Sequence, residues 1–225
     1  MKKLLTLLAF LMLSGANFAQ ETAAPDYAGI YKNITDKDSD YYYPALVARY
    51  TAADTSMTLQ QRRHLYYGYA TMANKAGRAE SAEALRKMSA LLMKPEPGRE
   101  DLEAVLDYTT TILASDPYSI TIKQYRQYCL RELGYYKQAI AERAQTEIII
   151  DAILSSGDGS TANNTIHVVS QENEFEIIQL LGFEAEGDEY ATNGQVDYII
   201  LGKNAYGKPG LYFEVPQQSK QLTGL

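Results

Sequence analysis

The chain has 225 residues, with 21 lysines and arginines against 28 aspartates and glutamates and a formal net charge of −7. That length allows one large domain or two small ones, each with a real core. The acidic balance, with no basic run longer than Arg62-Arg63, counts against a nucleic-acid backbone as partner, and the single cysteine, Cys129, excludes an intramolecular disulfide.

Lys2 and Lys3 precede an apolar run over 4–13 and the small residues Ser14, Gly15 and Ala16. A charged start, an apolar stretch too short to cross a bilayer and a small-residue zone predict a secretory signal peptide over 1–19. Cleavage is expected after Ala19, with a cut after Ala16 as the alternative. Leu13-Ser14-Gly15 would be a lipoprotein box if a cysteine followed, but Ala16 stands there. The expected product is therefore exported, periplasmic or extracellular, and free of lipid. No later stretch is apolar over membrane-spanning length, so no membrane span is expected.

From 26 to 154 the pattern predicts a helical domain. Tyr27, Ile30, Tyr31 and Ile34 recur at helical spacing, as do Tyr42, Leu46, Val47 and Tyr50 around Pro44, which suits a first turn. Thr58 is placed to cap a helix carrying Leu59, Leu65, Tyr66 and Tyr69, and Gly77 separates it from a helix with Ala82, Leu85, Met88 and Leu92. Pro95-Glu96-Pro97-Gly98 is the strongest break. Beyond it, one helix runs to Ser115-Asp116-Pro117, a second from 120 to 133 is ended by Gly134, and a third covers 136–154. Cys129 sits within the second and reads as a small buried hydrophobe.

Residues 155–164, rich in Gly, Ser, Thr and Asn, predict a boundary, and the tail from 165 to 216 changes character. Ile166-His167-Val168-Val169 reads as a strand, 175–181 as a brief helix, and 183–190, 196–201 and 211–215 as three further strands. Asn193-Gly194 predicts a hairpin between the first two of these, and Gly207-Lys208-Pro209-Gly210 turns the chain into the last. The fold class expected is α+β: a helical-hairpin layer followed by a small antiparallel β-α-β-β-β unit with its helix on one sheet face.

Gly134-Tyr135-Tyr136-Lys137-Gln138-Ala139-Ile140, preceded by Asp116-Pro117 and a helix, resembles a tetratricopeptide repeat. The nearest similar element, at Gly77, lies outside the ~34-residue period, so a helical-hairpin layer is expected rather than a repeat array. Tyrosines cluster at Tyr41-Tyr42-Tyr43, at Tyr66, Tyr67 and Tyr69, and at Tyr135-Tyr136, while tryptophan is absent. Tyrosine combines an apolar body with a polar tip, which suits helix packing and also suits binding, so Tyr66, Tyr67 and Tyr69 are candidate binding residues.

Ser156, Asp158 and His167 form a second candidate group. The stretch 155–161 lacks the alternating carboxylates of a calcium loop and the lysine of a phosphate loop. Ser156 with Asp158 and His167 could supply a hydrolase only if geometry assembled them; otherwise the stretch is a turn in which Asp158 caps the loop and the glycines supply unusual backbone angles. With two histidines, His64 and His167, in separate predicted domains, a histidine-rich metal site is excluded, and neither a metal nor a cofactor is expected.

The chain also resembles a secreted bacterial family known as a domain of unknown function (family 4919). The resemblance rests on Pro25-Asp26-Tyr27, Tyr42-Tyr43-Pro44 and His64-Leu65-Tyr66-Tyr67-Gly68-Tyr69. It continues through Ile153-Leu154-Ser155-Ser156-Gly157-Asp158-Gly159, His167-Val168-Val169 and Gly210-Leu211-Tyr212-Phe213. It implies export and this architecture, and carries no activity with it. The function expected is a non-catalytic binding or scaffold protein with a protein or peptide partner. The alternatives are a hydrolase at the junction of the two parts and a glycan-binding module, which would need exposed coplanar tyrosines.

Overall fold

The structure is a computed structural model that describes residues 22–72, 78–192 and 196–216. Gly77 and Asn193-Gly194, expected as a break and a turn, lie outside the described residues. The chain divides into two compact units, Asp26–Ala152 and the residues from Ile153 onward together with the N-terminal segment 22–25.

The first unit is helical: α1 (Tyr27–Thr35), α2 (Tyr43–Thr51), α3 (Leu59–Met72), α4 (Arg78–Leu92), α5 (Arg99–Ser115), α6 (Ile120–Glu132) and α7 (Tyr136–Leu154). The starts follow from capping chemistry. Asp26 Oδ1 accepts from the Gly29 amide at 3.0 Å, Pro44 occupies the first turn of α2, and Ser119 caps α6. Thr58 and Gln61 form a reciprocal box: Thr58 Oγ1 accepts from the Gln61 N–H, and Gln61 Oε1 accepts from the Thr58 N–H. Gly134, at φ +82, ends the α6 segment in the left-handed conformation that glycine adopts most easily.

Two kinds of core hold these helices. Ala84, Met88, Leu102, Val105, Ile112, Ile122, Cys129 and Leu133 make an aliphatic cluster across α4, α5 and α6. Burial pushes the Cys129 thiol up to about 11, so it stays protonated and packs as a hydrophobe. Around α1–α3 the filling is aromatic instead, with Tyr50, Tyr66, Tyr67 and Tyr118 all buried beside Ile30, Ile34 and Leu46.

The second unit is β1 (Ile166–His167), α8 (Gln171–Leu180), β2 (Ala185–Thr192), β3 (Val196–Leu201) and β4 (Gly210–Glu214) in a sheet of order β1-β4-β3-β2. The α+β class and the β-α-β-β-β order stand, but the sheet is mixed, not antiparallel: β1 pairs with β4 in parallel, Ile166 opposite Phe213 and His167 opposite Glu214. The reason is the helix. A helical crossover returns the chain to the end where β1 began, so β2 runs in the direction of β1. The antiparallel turns into β3 and β4 then give β4 that same direction, and it comes to lie beside β1. Alternation along β3, with Asp197, Ile199 and Leu201 buried and their neighbours half-buried, defines the inner face that also carries Leu211 and Phe213.

Candidate functional site

Helix α3 places Tyr66 and Tyr67 in the core. Both are 0% exposed. Tyr67 packs edge-on to Tyr27 and Tyr66, and its hydroxyl donates to the Ala152 carbonyl at 3.1 Å. Tyr69 is half-buried and donates to the Ser115 carbonyl at 3.0 Å; burial pushes its phenol up to about 12. Tyr66 and Tyr67 thus face other helices rather than solvent.

Tyr118 joins this aromatic group and had no signal as a site residue. It meets Tyr50, Tyr66 and Tyr69 with ring centroids 5.5, 6.0 and 5.2 Å away, and its hydroxyl lies 3.1 Å from that of Tyr43. The clue available was its place just before the Ser119 cap, where an apolar residue often fixes how the chain enters a helix.

Ser156, Asp158 and His167 come together as a loop and not as a relay. Ser156 Oγ donates to the Ile153 carbonyl at 2.6 Å and accepts from the His167 backbone N–H at 2.9 Å. Asp158 is exposed, and its Oδ1 accepts from the Ser160 N–H at 2.8 Å; the Ser160 side chain chiefly, with this backbone bond adding to it, lowers its carboxyl below the ordinary range. The alternation of a short strand would allow His167 to face solvent, but it is 6% exposed. Its Nε2 lies 3.3 Å from Thr165 Oγ1 and 4.0 Å from Glu214 Oε2, because parallel pairing sets Glu214 beside it.

The glycines explain how the loop closes. A Cβ on Gly157 would overlap the Thr165 carbonyl, so the backbone there passes too close for any side chain. Gly159 sits at φ +65, donates to the Asn164 carbonyl at 2.9 Å and accepts from the Tyr212 N–H at 2.9 Å, tying the loop to β4.

The most elaborate polar cluster lies elsewhere. Lys123 of α6 is 4% exposed and donates to Glu142 Oε1 of α7 at 2.8 Å and to Gln145 Oε1 at 3.1 Å. Arg126 donates to Glu142 Oε2 at 3.2 Å and reaches back to the Leu106 carbonyl and the Thr109 and Thr110 hydroxyls of α5. The Lys123 ammonium also lies 5.2 Å from the Tyr50 ring centre. Burial draws the Lys123 pKa down, against the pull of Glu142. Glu142 is shared by the two cations, and through them the cluster joins α5, α6 and α7 as a helix clamp. Among the described residues no group of three or more His, Cys, Asp or Glu side chains is placed to hold a metal ion.

A helical layer, a small mixed-sheet unit and a self-satisfied loop between them in sequence define a small α+β protein of the helical-hairpin kind. The family model described as a domain of unknown function (DUF4919) matches residues 28–223, and the chain belongs to that family. Neither a curated protein nor a solved structure matches it.

Proposed function

We propose that the protein is an exported, lipid-free, non-catalytic binding or scaffold protein of the periplasm or cell exterior, with a helical segment of another protein as its partner. The observation that carries the non-catalytic reading is the Ser156 hydroxyl, whose proton is held by the Ile153 carbonyl and whose lone pair receives the His167 N–H. A serine nucleophile needs that proton directed at a base. Burial of Tyr66 and Tyr67 removes the flat exposed platform that a saccharide would need from them.

What supports a helical partner is the start of α7. Tyr136 and Ile140 are 66% and 69% exposed and stand one turn apart, a ridge of the kind that a second helix accepts in its groove. They belong to the hairpin α6–α7, whose α6 packs on α5 as α5 packs on α4. A helix stack that is complete ends on a polar outer face. Here, among the described residues, the start of α7 leaves a tyrosine and an isoleucine exposed instead.

The test uses the mature chain with a photoreactive residue at position 140, applied to envelope extract. Crosslinks to a helical segment of one partner, lost when Tyr136→Ser is added, support the reading. Crosslinks confined to a second copy of the chain, or unaffected by Tyr136→Ser, overturn it. A hydrolase screen whose activity vanishes in both Ser156→Ala and His167→Ala, with melting temperatures intact, overturns the non-catalytic part. Mass spectrometry of the secreted fraction checks export: the expected chain begins near Gln20.

A further inference from the structure

Helix α1 is bonded to α3 through one imidazole. His64 is 7% exposed, and its ring lies flat on Tyr41 with centroids 4.0 Å apart and planes 16° apart. Its Nδ1 is 2.7 Å from the carbonyl oxygen of Gln60. A carbonyl only accepts, so Nδ1 carries the proton. Its Nε2 is 3.1 Å from Asn33 Nδ2 of α1. An amide nitrogen only donates, so Nε2 takes that bond with its lone pair. Both contacts are made together only by a neutral ring.

We infer that His64 is an acid-sensitive latch that holds helix α1 on α3 while neutral and loosens it when protonated. A second proton must go onto Nε2, the atom that accepts from Asn33, and would set one N–H against another. Among the described residues, the groups facing the ring offer a positive charge no counterion. Asn33 from α1 and Tyr41 from the connector are neutral, and the Gln60 carbonyl already has its donor. The charge that bears on the ring is Arg63, buried itself and seated 5.5 Å from the centre of the Tyr67 ring. Burial therefore holds His64 below its ordinary value, with Arg63 adding to the effect and the Gln60 carbonyl opposing it.

The rest of the α1 attachment makes the latch matter. Helix α1 has nine residues, too few to persist alone. Ile30 and Ile34 anchor it, and Ile34 lies against Gly68, where an added Cβ would come within 3.1 Å of Ile34 Cδ1. Undocking α1 therefore means melting it. The direction with pH is fixed by linkage. The folded value of His64 lies below 6.5, so the opened state binds the proton better. Docking is at full strength above pH 6.5, weakens as pH falls below it, and levels off beneath the folded pKa.

The chain has two histidines, so NMR can follow the His64 ring in the full mature protein. His64 is expected to titrate below 6.5. Amide exchange at Ile30 and Ile34, corrected for its intrinsic rate, should quicken by about tenfold per pH unit in the window between the two pKa values. Amides of α6 should not follow. Turning the Asn33 amide would present an oxygen to Nε2 and defeat the latch, so Asn33→Asp is the decisive variant. A carboxylate at that place should raise His64 above 6.5 and abolish the acid-driven exchange at α1. A wild-type His64 that titrates at or above 6.5, or α1 exchange with no acid dependence, overturns the inference. So does the same acid dependence in Asn33→Asp; the wild-type titration decides alone if that variant does not fold.

Discussion

In the helical unit Lys123 meets Glu142, Arg62 meets Asp151, Tyr43 meets Tyr118 and Asn33 meets His64. In the α+β unit Ser156, Asp158 and Asn204 turn instead to backbone groups; Asn204 alone serves Gly202, Tyr206 and Lys208. The difference follows from where backbone bonds go. A helix satisfies its own N–H and carbonyl groups, which leaves polar side chains to satisfy one another and so to fix which helices meet. The stretches 155–165 and 202–209 are loops whose backbone has no ladder, so their polar side chains fill that need. Serine and aspartate near one another in this loop are thus accounted for as the material of the loop itself, and His167 enters it through its backbone N–H.

The strongest way to break this contrast is to remove one partner from the helix clamp. Glu142→Ala leaves Lys123 buried with its charge uncompensated, and chemical denaturation should show a loss of about 3–5 kcal/mol. Lys123→Met combined with Glu142→Leu should recover most of that loss, because the burial of both charges disappears together. A double variant as unstable as the single one would mean that the pair is not what joins α6 to α7.

In the loop the corresponding probe is the backbone. Gly157→Val drives a side chain into the Thr165 carbonyl, and Gly159→Val forces a β-branched residue to φ +65. Each should cost about 1–3 kcal/mol in thermal or chemical unfolding. Ser156→Ala should follow at about 1–2 kcal/mol, since the buried His167 N–H loses its acceptor. If Ser156→Ala were neutral, the hydroxyl would not be holding the loop and the contrast between the units would weaken.

Local features of this architecture were legible in the sequence, and long-range ones were not. The Thr58 cap, the proline opening α2 and the alternation of Val196–Leu201 each depend on a few neighbouring residues. Helix α8 begins at Gln171, four residues before the expected 175, because Asn173, Glu174 and Glu176 are buried and so broke the apolar pattern. The parallel pairing of β1 with β4 depends on a partner far along the chain. Lys123 and Glu142 are ordinary charges in sequence; only the meeting of α6 and α7, 19 residues apart at that pair, makes them a clamp. Of the candidate residues, Ser156 and Asp158 occupy the turn their types favour, whereas Tyr67 is covered by Tyr27 of α1 and bonded to Ala152 of α7, and Tyr66 packs on Tyr67 and Tyr118, all partners far along the chain.

The smallest effect on stability belongs to the residues with the largest proposed role. Tyr136→Ser with Ile140→Ser alters a turn of α7 whose side chains are mostly in water, so unfolding should change by no more than about 0.5 kcal/mol per site. Neighbouring contacts of the same helix, Ala139 at 3% exposure and Glu142 in the clamp, are untouched. The melting temperature and far-UV circular dichroism of the double variant should therefore match the parent, while the helical partner no longer co-purifies with it from envelope extract. A large drop in melting temperature would show that Tyr136 and Ile140 support the fold of α7 itself, and the ridge would then belong with the clamp as a structural device of the helical unit.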